Sequence, residues 1–298
     1  MNVLVTGANG QLGMSIRELA GGYRDRFIFT DVNSVPGLET VYLDITNPDA
    51  VRIICNSEQV DVIVNCAGYT AVDAAEDDFQ MADLLNHQAP GILGGIARER
   101  DAALIHISTD FVFDGRAGLP YPDDAPLSPL SVYGSTKAAG ERVVASSLCR
   151  HIIFRTAWLY SIYGRNFAKT MLNLFKERPL VKVVYDQIGS PTYAPDLASA
   201  ILKVISSGDV VRHQGIFNYS SQGAVSWYDF AKAIHRLSGL KMCDVEPCLS
   251  AEYPQKAERP RYSVLDKTLV ARTFGVHVPY WEDSLERFFT DGRAAGII

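Results

Sequence analysis

Long apolar runs are missing from this 298-residue chain, and no stretch of it is long enough to span a bilayer. Met1-Asn2-Val3-Leu4-Val5-Thr6 runs straight into glycines with no basic segment ahead of it, so no secretory leader is expected. An excess of basic charge is missing too. The 28 Lys and Arg residues face 34 Asp and Glu, a formal net charge of -6, which disfavours nucleic acid as a partner. Cysteine is scarce: Cys55, Cys66, Cys149, Cys243 and Cys248 are odd in number and lack the paired spacing of metal sites. No metal ligation is expected from them, and a reduced, cytoplasmic setting is the simplest reading. Repeats, low-complexity tracts and flexible linkers are absent as well. What is present, 47% hydrophobic and 21% charged residues, suits a globular enzyme of one large domain or two that share a core.

The first 20 residues read as strand, glycine turn and helix. Residues 2–6 are apolar, Gly7-Ala8-Asn9-Gly10-Gln11-Leu12-Gly13 follows without a gap, and the apolar positions of 14–20 fit a helix lying on a sheet. Gly7 permits the tight turn, Gly10 lets a pyrophosphate approach the backbone, and Gly13 lets helix and strand pack closely. The anion would sit at the helix N-terminus, where unpaired N–H groups and the helix dipole favour it. A second strand, Phe27-Ile28-Phe29-Thr30-Asp31, ends in an acid about 20 residues beyond the glycines, the spacing of a ribose ligand. Asp31 would repel a 2′-phosphate, and Val32-Asn33-Ser34 offers no arginine to compensate, so charge favours NADH. The same residue could simply open a turn.

A third strand is expected over 41–45, its end near the adenine, and a helix from Pro48 to Cys55 capped by Asn47. A fourth strand over 60–68 ends in small residues, and 72–99 reads as largely helical with Asn86 inside. The fifth strand, 102–110, ends in the polar Ser108-Thr109-Asp110; His106 lies within its apolar part and reads as a core histidine. A sixth strand covers His151–Arg155. This alternation predicts a parallel sheet with helices on both faces. Later elements are less regular: helices near 167–176, 196–206, 227–238 and 281–289, and strands near 180–184 and 216–219.

Between the fifth and sixth strands lies Ser131-Val132-Tyr133-Gly134-Ser135-Thr136-Lys137. Good helix formers follow it, and Ser131 is placed to cap the helix. Tyr133 and Lys137 would then share one helix face, one turn apart. A phenol has a pKa of about 10, and a nearby ammonium would lower it and make the tyrosine a usable proton donor. Taken alone, such a pair is weak evidence and is more simply a surface or packing contact.

Together, GANGQLG, Asp44-Ile45-Thr46, Thr70-Ala71-Val72-Asp73, Ser108-Thr109-Asp110-Phe111, Val132-Tyr133-Gly134, Phe154-Arg155-Thr156-Ala157-Trp158, Asn166-Phe167-Ala168-Lys169 and Arg259-Pro260 resemble the extended short-chain dehydrogenase/reductases, and within them the dTDP-4-dehydrorhamnose reductase family. The resemblance implies an α/β fold: a Rossmann doubly wound parallel sheet with a smaller, interleaved C-terminal substrate lobe. Residues 1–160 would form the dinucleotide-binding domain, with 185–220 adding late elements, and 161–184 with 221–298 would form the lobe. It implies NADH or NADPH as cofactor, held by Gly7, Gly10, Gln11, Leu12, Gly13, Asp31, Asp44, Ile45, Ala67, Gly68, Tyr69, Tyr133 and Lys137.

By the same resemblance, Tyr133 protonates the sugar C4 oxygen, Lys137 holds the nicotinamide ribose and tunes Tyr133, and Thr109 hydrogen-bonds the carbonyl. Asp110 and Trp158 would contact the hexose of a dTDP-sugar and Val72 would line its pocket. Arg259, in the basic run 256–262, would meet the diphosphate from a loop fixed by Pro260, the alternative being a solvated charged loop. Two departures stand out. Gly68-Tyr69 occupies a place where many members carry histidine. Ser15 and Pro195 fall where some members hold a magnesium-bridged dimer with acidic residues, leaving only Asp196 nearby; a monomer or weak homodimer without that bridge is expected. Related readings are a nucleotide-sugar epimerase or dehydratase, or a regulatory subunit resembling that of methionine adenosyltransferase. The intact Thr109, Tyr133 and Lys137 argue against the last.

Overall fold

The computed structural model describes residues 1–297. Six of its strands are β1 (Asn2–Thr6), β2 (Arg26–Asp31), β3 (Val41–Tyr42), β4 (Val62–Asn65), β5 (Ala103–Thr109) and β6 (Arg150–Thr156); a seventh, Gly215–Asn218, joins the same sheet. The order across it is Gly215–Asn218, β6, β5, β4, β1, β2, β3, with every neighbouring pair parallel. β4 is buried at every position and β5 at nearly every one, because helices cover both faces. Strand order reverses between β1 and β4, and the loops leaving their carboxyl ends part there to open a crevice. The expected third strand is shorter than its sequence suggests. Only Val41 and Tyr42 pair, exposed at the sheet edge, because Asp44 turns the chain by accepting from the Thr46 amide and hydroxyl.

The first helices are α1 (Gln11–Ala20) and α2 (Pro48–Ser57), the latter capped by Asn47, whose side chain accepts from Asp49 and Ala50 amides. The expected helix over 72–99 is broken into α3 (Val72–Ala75), α4 (Phe79–Asp83), a wide π turn at Leu84–Gln88, and α5 (Ala89–Glu99). Pro90 accounts for the π turn: it has no N–H for the carbonyl four residues back, Asn86, and its ring would clash there. That carbonyl leans instead on α6 (Val132–Ser146), where a Cβ on Gly140 would meet it at 2.1 Å. Ser131 caps α6 by accepting from the Gly134 amide at 3.1 Å, as its sequence predicts.

Beyond β6 come α7 (Phe167–Glu177) and α8 (Ala194–Ser206). Leu197 and Ile201 of α8 share a core with Leu12 and Ile16 of α1 beneath β1, β4, β5 and β6. A second core gathers Tyr160, Met171, Phe175, Phe230, Trp281 and Phe288 around a parallel pair, Leu180–Val184 with Asp244–Cys248. The lobe expected over 221–298 is interrupted: Val270, Phe274, Val276 and Val278 belong to the first core. The last helix also runs further than its apolar pattern suggested, Trp281–Ala294. No described helix is long and apolar enough to cross a membrane.

Candidate active site

The turn from β1 to α1 presses against the end of β4. Gly7 has φ +61°, and a Cβ there would sit 2.6 Å from the Ala67 amide nitrogen. A Cβ on Gly13 would meet the Gly7 carbonyl oxygen at 2.5 Å, so both positions require glycine. The first turn of α1, after the extended Gly10, holds no acidic residue, leaving its amides and dipole to an anion. Across the crevice, Gly68 keeps open a space that a side chain would fill: its Cβ would lie 3.0 Å from Asn86 Oδ1 and 3.8 Å from Lys137 Nζ. Asn86 grips this strip by accepting from the Tyr69 amide (2.9 Å) and donating to the Tyr69 carbonyl (3.0 Å) and Thr136 Oγ1 (3.2 Å). Ala67 donates to Asn65, which also receives the Thr6 hydroxyl. These residues fit a dinucleotide. Asn86 went unnoticed in the sequence beyond lying in a helix; Pro90, four residues on, is the signal that its turn is irregular.

Asp31 sits at the end of β2, where its carboxylate accepts from the Asn9 amide (3.1 Å) and the Asn33 amide (2.9 Å). It thus holds the glycine loop and opens a turn at once. Leu43 donates to the Asp31 carbonyl, which brings Asp44 and the buried Ile45 beside it. A cation lies close after all. Arg17, stacked over Phe29, donates to Thr40 Oγ1 at 2.9 Å, and Thr40 donates to Asn9. Local sequence around Val32–Ser34 could not reveal an arginine contributed by another element.

Thr109, Tyr133 and Lys137 meet at the carboxyl end of β5. Thr109 Oγ1 donates to Asp110 Oδ1 at 3.0 Å and accepts from the Phe111 amide, and it lies near the Tyr133 hydroxyl. Phe111 packs edge-on to the Tyr133 ring at 5.6 Å. The Lys137 ammonium donates to the Ile107 carbonyl. The expected lowering of the tyrosine pKa is not found. Burial pushes Tyr133 up to about 12, opposed by the nearby Thr109 hydroxyl and aided by the Asp110 charge. Burial also brings Lys137 down to about 8, with Glu141 opposing. The protein alone therefore holds the phenol protonated. His106 is a core residue: buried, with Nδ1 3.1 Å from Asn65 Nδ2, and kept neutral by burial and by Lys137.

Asp110 is 1% exposed, and burial raises its pKa to about 6 despite the hydrogen bond from Thr109 and the nearby Ser263 hydroxyl. A carboxyl whose folded pKa lies above its unfolded value of about 3.9 stabilises the fold below the unfolded value. That contribution is lost as pH rises through about 6. Asp110→Asn is therefore expected to raise the melting temperature at pH 7 by more than at pH 4, with reduced turnover. Melting curves at the two pH values check this; equal shifts would remove the ionisation argument.

Next to this corner opens a cleft of about 590 Å³ whose wall includes Phe111, Trp158, Met171, Gln187, Trp227 and Arg259. Trp158 has φ +48°, a strained conformation for a bulky residue. It is held by stacking on Trp227 at 3.5 Å and by Gly189, where a Cβ would come within 2.5 Å of the indole. Val72 lies half-buried at the start of α3 and is not in this wall. Its helix instead braces the catalytic one, since Glu76 accepts from the Val132 amide at 2.8 Å. Arg259 does reach the cleft from a fixed loop, but not as a free cation. It forms a two-pronged pair with Asp73 (2.9 and 2.7 Å), whose carboxyl is drawn down to about 2 by that contact. Ala257 donates to the same carboxylate and Lys256 pairs with Asp77, so the segment straps the second lobe to α3.

The sequence matches the RmlD substrate binding domain over residues 1–294. The chain belongs to this family. A dTDP-4-dehydrorhamnose reductase of Aggregatibacter actinomycetemcomitans is 39% identical over 292 residues, 95% of this chain and 97% of that protein. A probable dTDP-4,6-dihydroxy-2-methyloxan-3-one 4-ketoreductase of Streptomyces antibioticus is 39% identical over 297 residues, 99% of this chain and 97% of that one. Among solved structures, a dTDP-4-dehydrorhamnose reductase from Clostridium acetobutylicum superposes with TM-score 0.91 at 41% identity, covering 98% of this chain and 100% of that one. One from Bacillus anthracis, in complex with NADP, gives 0.88 at 36%, covering 97% and 99%. In this RmlD-family chain the cofactor choice is expected to turn on Asp31 and on Arg17, which is linked to the same strand end through Thr40 and Asn9. NADH is expected to serve at least as well as NADPH. Asp31→Ala should shift the kcat/KM ratio towards NADPH and Arg17→Ala towards NADH, each by about tenfold or more, the worth of one charge-assisted hydrogen bond. A wild type strongly selective for NADPH would contradict the role given to Asp31.

Proposed function

We propose that this protein reduces the C4 keto group of dTDP-4-dehydro-L-rhamnose to give dTDP-L-rhamnose, with NADH or NADPH as reductant. The observation that carries the reading is the meeting of Thr109, Tyr133 and Lys137 at one corner, between a cradle fit for a dinucleotide and a cleft fit for a sugar nucleotide. The bound nicotinamide supplies the hydride. Thr109 and Tyr133 hydroxyls orient the substrate carbonyl and stabilise the negative charge that develops on its oxygen. Tyr133, with its proton held by a pKa near 12, delivers that proton to the oxygen. Lys137 keeps a positive charge beside the tyrosine and faces the space left by Gly68, where the nicotinamide ribose would lie. Trp158 and Asp110 face the hexose, and Arg259 approaches the diphosphate. A dehydratase reading is weaker, because Phe111 stands where a second acid would follow Asp110.

Residues 1–160 with 185–220 form the cofactor-binding unit in this reading, and 161–184 with 221–298 the substrate lobe apart from the returning segment 270–278. The protein works in the cytoplasm as a monomer or weak homodimer. A metal bridge is disfavoured because Ser15 is buried, Pro195 has no ligand, and Asp196 is held by Ser284 and Arg287. The direct test supplies a dTDP-4-keto-6-deoxyhexose and follows loss of NADH or NADPH absorbance. Consumption matched by formation of the 4-hydroxy sugar supports the reading, and release of hydride-neutral epimer without net cofactor oxidation would replace it.

A further inference from the structure

The side chain of Gln11 does not point at the cofactor crevice. Its Oε1 accepts from the Ser161 hydroxyl (3.0 Å) and from Asn166 Nδ2 (2.9 Å), and its Nε2 donates to the Leu159 carbonyl (3.4 Å). A Cβ on Gly164, which has φ +59°, would lie 3.2 Å from Gln11 Cγ, so the 159–166 segment folds closely around this one residue. A second tie runs from the same helix: the Tyr163 hydroxyl donates to Glu18 at 3.1 Å. Asn166 does double duty, for its Oδ1 also caps α7 by accepting from the Lys169 amide at 3.1 Å.

What hangs from this knot is the wall of the sugar cleft. Trp158 immediately precedes Leu159, and α7 contributes Phe167, Met171 and Leu174 to the lining. The backbone amide of Gln11, meanwhile, is among the unpaired N–H groups at the N-terminus of α1 that an anion would engage. One residue therefore faces the cofactor phosphates through its main chain and the substrate lobe through its side chain. We infer that Gln11 and Asn166 are positioning residues that couple the two sites, so that filling the dinucleotide cradle orders the 159–166 segment and with it Trp158 and α7. The inference rests on the sugar-nucleotide reading given above. The coupling needs no large movement, because a segment already stiffened by one ligand is easier for the second to order.

Thermodynamic reciprocity makes this measurable. Thymidine diphosphate, standing in for the nucleotide part of the substrate, is titrated by calorimetry into the whole enzyme with and without saturating NADP. The wild type should bind it about tenfold more tightly with NADP present, within the usual range of coupling between sites. Asn166→Asp keeps the capping oxygen but loses the Nδ2 donor to Gln11; Gln11→Met keeps the length but loses both polar atoms. Each should bring the ratio close to one, and the double variant should lose no more than either single one, because both remove one shared contact. Should Asn166→Asp fail to melt cooperatively, Ser161→Ala takes its place and should lower the ratio in part. A ratio near one in the wild type, or a ratio kept in the variants, overturns the coupling while leaving the enzyme reading intact. Absence of thymidine diphosphate binding in both conditions would instead remove the sugar-nucleotide reading and this inference with it.

Discussion

Tyr133→Phe is expected to lower turnover by about 10²–10⁴-fold, the range for loss of a general acid, with cofactor binding close to normal. The substitution keeps the ring and its edge-on contact with Phe111, so packing around the site is preserved. What disappears is the hydroxyl, and with it one proton beside Thr109. The charge forming on the carbonyl oxygen then has a single hydroxyl to meet it, and its proton must come from water rather than from a positioned donor. Lys137→Met should behave differently, weakening cofactor binding as well as turnover, because Lys137 lies beside the Gly68 space as well as next to the tyrosine. Steady-state kinetics with a cofactor titration separates the two. Near-wild-type turnover in Tyr133→Phe would sink the mechanism.

A large effect on stability is expected at a neighbouring pair. Arg155 and Glu141 are 2% and 1% exposed, joined by two hydrogen bonds of 2.9 and 2.7 Å. The Ser108 hydroxyl also donates to Glu141, and Arg155 reaches the Asp123 carbonyl at 2.8 Å. Taking one member away leaves the other charge buried and unpaired, so Arg155→Met should destabilise by about 3–5 kcal/mol. Replacing both at once, Glu141→Leu with Arg155→Met, should be much milder, since neither charge is then stranded. Urea melts of the three variants decide this. A double variant as damaged as the single one would mean the pair is needed for something besides mutual neutralisation. Glu141 sits one turn beyond Lys137 and opposes the loss of its charge, so the double variant should also lower the pH at which Lys137 deprotonates.

The order of elements through β6 could be read from the chain because its main strands are apolar runs and some helix starts carry a cap, as with Asn47 and Ser131. The meeting of Thr109 with Tyr133 and Lys137 was legible for the same reason: a parallel sheet places strand ends and following helices on one side. Where the reading fell short, the missing term was a contact between segments distant in sequence. Arg17 reaches the Asp31 end through Thr40 and Asn9. Arg259 finds Asp73, which turns a presumed free phosphate ligand into half of an ion pair. The direction of the Tyr133 shift was missed because spacing gives the neighbours of a charge but not its burial. The segment 270–278 returned to the first core because its apolar side chains fit the sheet under α8, a pairing that local periodicity does not encode.

The π turn at Leu84–Gln88 has a consequence for how this chain can change. An α-helix advances about 100° per residue, and the wider turn inserts one extra residue between α4 and α5. The two halves are thereby out of phase, which lets Asn86 look into the crevice while Leu93 looks into the core. A one-residue deletion there would force a regular spiral and set the Pro90 ring against the carbonyl one turn back. It would also rotate one of these two side chains off its target. Length in this stretch is thus fixed more tightly than residue identity, and related chains that bind a dinucleotide in this way should differ here by substitution and not by insertion or deletion.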